Sequence, residues 1–198
     1  MRIPRIYTPS PLSSGNTVEL DDNAFNHSVR VLRLKQGAPV VLFNGEGGEF
    51  SAELSDVQKK RAFATVDQHI DRESESPLHI TLGQCISRGE KMDYTIQKAV
   101  ELGVNRIIPL FSERCGVKLK QDRLDKKVEH WRGVVISACE QSGRNRIPEV
   151  GQPQTLDNWL QTNEASLKLV LAPTSDQSLR TLSAPENHLS LLIGPEGG

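Results

Sequence analysis

Cysteine is scarce in this chain: Cys85, Cys115 and Cys139 stand far apart among 198 residues, with no Cys-x-x-Cys pair. Three scattered thiols cannot build a disulfide framework, and their spacing suggests no zinc site. Long apolar runs are also missing. The longest are four or five residues, far short of the roughly 20 that span a bilayer. The opening "MRIPRIYTPSPLSSG" carries arginines with no apolar stretch behind them, so it does not read as a signal peptide. There is no excess of charge either. A formal net charge of −1 gives no general attraction to nucleic acid, so any basic surface must be local. The five histidines (His27, His69, His79, His130, His188) lack metal-ligand spacing, and neither a Gly-x-Ser-x-Gly elbow nor an activated-cysteine signature is present. An enzyme built this way is expected to hold a reactive cofactor against its substrate rather than use covalent catalysis. The expected setting is soluble and cytoplasmic.

What is present falls into two patterns. Up to about residue 72, short Val- and Leu-rich runs ("TVEL", "VRVLRL", "APVVLF") are punctuated by turns. Val40–Phe43 and Glu49–Leu54 flank Asn44-Gly45-Glu46-Gly47-Gly48, a hairpin signal, and "AFATVDQHI" adds another strand. A small β-barrel over residues 1–72 is the expectation. Asp71–Pro77, "DRESESP", is polar and closed by proline, and residues 73–77 are taken as the linker. The period then changes. "HITLGQCIS" reads as a buried strand. Met92, Ile96, Ala99, Val100 and Val104 share one helical face, and "RIIPLF" follows as a strand. Leu124, Val128, Trp131, Val135 and Ala138 mark a long amphipathic helix ending near Gly143. "LKLVLAP" and "HLSLLIG" are two further strands. Residues 78–198 therefore predict an α/β domain with a mostly parallel sheet.

In such a sheet, ligands bind beyond the carboxyl ends of the strands. Two stretches end strands there, "LAPTS" at Leu171–Ser175 and "LLIGPEGG" at Leu191–Gly198. Gly194, Gly197 and Gly198 would let backbone approach a ligand closely, and Pro195 would stiffen the turn. Basic residues concentrate between Arg114 and Arg146, nine Lys or Arg against four acids. Arg114, Arg144 and Arg146 stand at element ends, where a guanidinium can grip a phosphate bidentately. Arg30 and Arg33 in "HSVRVLRL" form a second, smaller basic cluster.

Taken together, "RIPRIY" with "HSVRVLRL", "KMDYTIQKAVELGVNRIIPLFSERCGVK", "EQSGRNRIPEV" and "LLIGPEGG" resemble the RsmE family, methyltransferases of N3 of a uridine in small-subunit ribosomal RNA. The match runs over essentially the whole chain in the family's order. The resemblance implies a PUA-like barrel that helps recognise RNA, followed by a SPOUT-type α/β domain that binds S-adenosylmethionine in a C-terminal trefoil knot. It also implies a homodimer and no metal. Family members continue past GPEGG through a further helix and strand, so the knot is expected to be incomplete in these 198 residues. The resemblance assigns the cofactor to Leu171, Ala172, Pro173, Ile193, Gly194, Pro195, Glu196, Gly197 and Gly198. It assigns RNA to Arg30, Arg33, Arg114, Arg144 and Arg146. No residue declares itself as the proton acceptor. From the residues alone two rivals stay open: a non-catalytic RNA-binding assembly protein with a structural glycine turn, and an enzyme using a phosphate-bearing nucleotide at that turn.

Overall fold

The computed structural model describes residues 3–113, 121–171 and 175–194. The chain divides into two compact units: Met1–Glu75 with Cys139–Ile147, and Ser76–Ala138 with Pro148–Gly198.

The first unit contains strands β1 (Arg5–Tyr7), β2 (Thr17–Glu19), β3 (Pro39–Phe43), β4 (Glu49–Val57) and β5 (Ala62–Ile70). They form one sheet in the order β1-β3-β4-β5-β2, antiparallel except for β1 beside β3. The hairpin expected at 40–54 is β3 and β4, whose turn places Gly45, Gly47 and Gly48 at positive φ. Ile6, Val40, Leu42, Leu54, Ala62, Ala64 and Val66 are almost wholly buried in a single core cluster.

"VRVLRL" is not the strand its composition suggests. The side chain of Asp21 accepts from the backbone N–H groups of Asn23 and Ala24 and caps helix α1 (Asp22–Phe25), which runs on into a π-helical turn over Asn26–Val31. Ser28 Oγ donates to the Ala24 carbonyl at 2.7 Å. Ala24, Phe25 and Ser28 are thereby buried at three- and four-residue spacing, which overrides the β preference of Val29 and Val31. The segment closes at Arg33, held at φ 56°, a left-handed conformation that is rare for a side-chain-bearing residue.

Residues 71–75 have no regular structure, yet they are well anchored. Arg144 pairs with Glu75, Arg146 with Glu73, and Ser74 Oγ donates to the Gly143 carbonyl.

The second unit is an α/β layer structure. Strands β6 (His79–Cys85), β7 (Arg106–Phe111), β8 (Glu149–Val150), β9 (Gln154–Thr155), β10 (Leu167–Val170) and β11 (His188–Ile193) alternate with helices α2 (Glu90–Glu101), α3 (Gln121–Ser142, whose last four residues group with the first unit) and α4 (Leu156–Thr162). Every strand pairing is parallel, in the order β10-β11-β6-β7-β8 with β9 also on β7. Parallel pairing needs crossovers; β6 and β7 are mostly buried and read as nearly continuous apolar runs, whereas β10 and β11 stay largely half-exposed. The short β8, β9 and α4 were not anticipated, because two-residue strands and a seven-residue helix leave almost no period to read. Trp159 of α4 is nevertheless central: it packs with Cys85, Ile108 and Leu110, directly over Gly83. Cys85 and Cys139 are buried, and burial pushes the Cys139 thiol up to about 12, which keeps it protonated and unreactive. No helix among the described residues is long and apolar enough to cross a membrane.

Candidate functional site

Because β10, β11 and β6 are parallel neighbours, their carboxyl ends share one edge of the sheet. Val170 sits in register with Leu192, the Leu171 N–H donates to the Leu192 carbonyl at 3.4 Å, and Ile193 sits in register with Gln84. The tips named from sequence, Leu171 on β10 and Ile193-Gly194 on β11, are thus side by side. Among the described residues, a side chain on Gly194 would meet nothing within 4 Å, so the backbone there borders open space. Open backbone of this kind permits close approach of a ligand. Ala172, Pro173, Pro195, Glu196, Gly197 and Gly198 lie outside the described residues.

The β6 side of this edge holds a cavity of about 350 Å³, lined by Gln84, Ser87, Lys91, Tyr94, Thr95, Ile193 and Gly194. Its size falls in the range of small-ligand clefts, roughly 300–1,000 Å³. Lys91, Tyr94 and Thr95 come from the first turns of α2, whose opposite face buries Met92, Ile96 and Val100. Gln84 is 2% exposed. Its Nε2 donates to the Cys85 carbonyl at 2.8 Å, while Oε1 is buried with no partner among the described residues. None of these five residues, from β6, α2 and the loop between them, was singled out from sequence. Tyr94 offered the one signal: a large aromatic off the apolar stripe of its helix, left 63% exposed.

The sequence-predicted arginines divide. Arg30 and Arg33 are exposed, with the Arg30 guanidinium 5.4 Å from the Phe25 ring centroid. Arg146 is half-exposed and donates from Nε to Glu73 at 2.9 Å. Arg144 departs from the expectation of a phosphate-gripping side chain: it is 6% exposed and paired with Glu75, so its fork already faces a carboxylate. Arg114 lies outside the described residues. The rest of "EQSGRNR" is woven into the first unit as well. Glu140 accepts from the Tyr7 N–H and pairs with His27 at 2.8 Å, and Asn145 bridges Arg5 and the Arg72 carbonyl. The Glu140 hydrogen bond raises the pKa of His27 above its ordinary value against the opposing effect of burial. Arg5, itself buried, also pairs with Glu49 and lies over the Phe43 ring. No cluster of metal-ligating side chains occurs among the described residues.

Comparison with known proteins gives this arrangement a family. Residues 74–198 match the family model of an RNA methyltransferase domain, and residues 20–67 that of an RNA methyltransferase PUA domain. The ribosomal RNA small subunit methyltransferase E of Buchnera aphidicola (subsp. Schizaphis graminum) is 39% identical over 198 residues, covering 100% of this chain and 80% of that protein. A putative methyltransferase from Legionella pneumophila, solved with bound S-adenosylmethionine, superposes with a TM-score of 0.97 at 42% identity, covering 100% of this chain and 82% of the other. The Neisseria gonorrhoeae ribosomal RNA small subunit methyltransferase E, also bound to S-adenosylmethionine, gives 0.94 at 41% identity, over 100% and 81%. The chain accordingly combines a PUA-like domain with a SPOUT-type methyltransferase domain. The chain belongs to the ribosomal RNA small subunit methyltransferase E family.

Proposed function

We propose that this protein transfers a methyl group from S-adenosylmethionine to N3 of a uridine in small-subunit ribosomal RNA, acting in the cytoplasm as a homodimer. The observation that carries this reading is the open backbone of Gly194 at the tip of β11, beside the tip of β10 and a cavity of about 350 Å³, in a chain of this family. Bound at these tips, S-adenosylmethionine supplies an electrophilic methyl group on a sulfonium sulfur. The chain's own part is to hold and to orient. Backbone groups of Leu171, Ile193 and Gly194 cradle the cofactor, and Ala172, Pro173 and Pro195–Gly198 complete the set that the family resemblance assigns. Uracil N3 is occupied in pairing and protonated, so the target must arrive unpaired and lose its proton before it accepts a methyl group. Arg30 and Arg33, exposed on the PUA-like unit, hold the RNA backbone, with Arg146 beside Glu73 as a further cation. Arg144 supports that unit from inside.

Calorimetry of the full-length protein with S-adenosylmethionine and with ATP tests the reading. Binding of the first but not the second is expected. Ribosomal RNA from cells lacking the protein should be lighter by one methyl group. Binding of neither ligand, with RNA of unchanged mass, points instead to a non-catalytic RNA-binding protein.

A further inference from the structure

Helix α2 buries Met92, Ile96 and Val100 along one stripe, and Tyr94 stands off that stripe with its side chain in solvent. Single apolar residues at a surface are ordinary. This one has a particular place: it lines the cavity that Ile193 and Gly194 border from β11. Its ring also has a fixed neighbour. Lys98, one turn further on, sets Nζ 5.8 Å from the ring centroid and is itself held by Glu101 at 2.6 Å. A second exposed group follows the lining residue Ser87 in the loop between β6 and α2. Arg88 is exposed there and forms no ion pair among the described residues. An uncovered aromatic ring and an uncompensated guanidinium, carried by α2 and the loop before it, are the two groups that hold single-stranded RNA: one takes a base, the other a phosphate.

Resting on the methyltransferase reading above, we propose that Tyr94 is the platform on which the unpaired target uracil stacks, and that Arg88 holds a phosphate of the same strand. Stacking engages the face of a base and leaves its edge free. The uracil can therefore lie on Tyr94 with N3 turned toward Ile193 and Gly194, the border that this cavity shares with the residues assigned to the cofactor. A grip on the N3 edge would cover the atom that must receive the methyl group; a grip on the face does not. Every base has such a face, so Tyr94 sets where the base lies and leaves the choice of base to other contacts. The Arg88 guanidinium, a planar fork of donors, suits a phosphate and fixes the strand that carries the base. Tyr94 is thus a binding residue for the substrate, and it neither gives nor takes the proton of N3.

The test uses the full-length protein and small-subunit ribosomal RNA from cells that lack it. Tyr94→Ala should lower kcat/KM for the RNA roughly tenfold or more. Tyr94→Leu, bulky and apolar but without a π-face, should lose as much, and Tyr94→Phe should recover most of the loss. Arg88→Gln should lower the salt slope of RNA binding by about one. All four variants should keep the native melting temperature, affinity for S-adenosylmethionine and sedimentation behaviour, since both side chains are exposed. Native kcat/KM in Tyr94→Leu overturns the stacking role, and an unchanged salt slope in Arg88→Gln overturns the phosphate contact. Weakened S-adenosylmethionine binding in Tyr94→Ala also overturns the proposal by giving the ring to the cofactor. Altered sedimentation does so by giving it to an interface between copies of the chain. If the native protein itself neither binds S-adenosylmethionine nor methylates the RNA, the function proposed above has failed instead.

Discussion

Arg144 donates from Nε to Glu75 Oε1 at 2.9 Å, and the two side chains are only 7% and 10% exposed. A guanidinium in this position looks, in sequence, like a hand held out for phosphate. In the folded chain it ties residues 71–75 to the segment that follows α3, with Arg146–Glu73 and the Asn145–Arg72 carbonyl contact beside it.

Removing one partner of a buried pair strands the other charge. Arg144→Ala should therefore destabilise the protein by about 3–5 kcal/mol, read from urea unfolding. At a temperature where the variant remains folded, the salt dependence of RNA binding should keep its native slope. A slope reduced by about one phosphate's worth would restore Arg144 to the RNA surface.

Arg30 and Arg33 should behave in the opposite way. Each neutral substitution is expected to weaken RNA binding and lower the salt slope by about one. Arg33→Gly gives the sharper test, since glycine accepts the φ of 56° without strain. Affinity should fall while the melting temperature holds or rises. A variant that loses both would make Arg33 a structural residue.

The His27–Glu140 pair makes stability depend on pH. Because the hydrogen bond to Glu140 raises the folded-state pKa of His27 above 6.5, protonated His27 favours folding. Its contribution is complete below about 6.5 and fades as pH rises through the raised pKa. His27→Gln should flatten that part of the stability profile measured by urea unfolding. A profile identical to that of the native protein would refute the linkage.

Gly83 lies under Trp159, and a Cβ there would sit 2.7 Å from the indole ring. Gly83→Ala should cost about 1–3 kcal/mol in thermal unfolding, and Trp159→Leu in the same chain should return part of it. Additive losses would mean that the clash is relieved elsewhere.

Much of the architecture was open to inspection in the sequence because periodicity survives translation into structure. The 4-3-4-3 spacing from Leu124 to Ala138 became α3, with Val128, Trp131, Val135 and Ala138 almost wholly buried, and the alternation of apolar runs with helices became a parallel sheet. "VRVLRL" misled because its composition favours a strand, whereas a cap at Asp21 and a bond from Ser28 had already committed the chain to a helix. For the proposed site, the glycine-bearing end of β11 is visible in the sequence as the end of an apolar run. Gln84 is not visible in this way, since nothing about a glutamine in a buried strand tells whether its oxygen will find a partner.

The sequence by itself determined the two structural regimes, the family, and the ends of the strands that carry the proposed ligand site. These depend on residue types at near-neighbour spacing, which the chain carries with it. Only the tertiary structure decided that Arg144 faces Glu75 from across 69 residues and that Gln84 comes level with Ile193 from across a sheet. Whether a charge is paired, or an acceptor left bare, depends on groups brought together from distant parts of the chain by burial of the core, and no local pattern encodes that meeting.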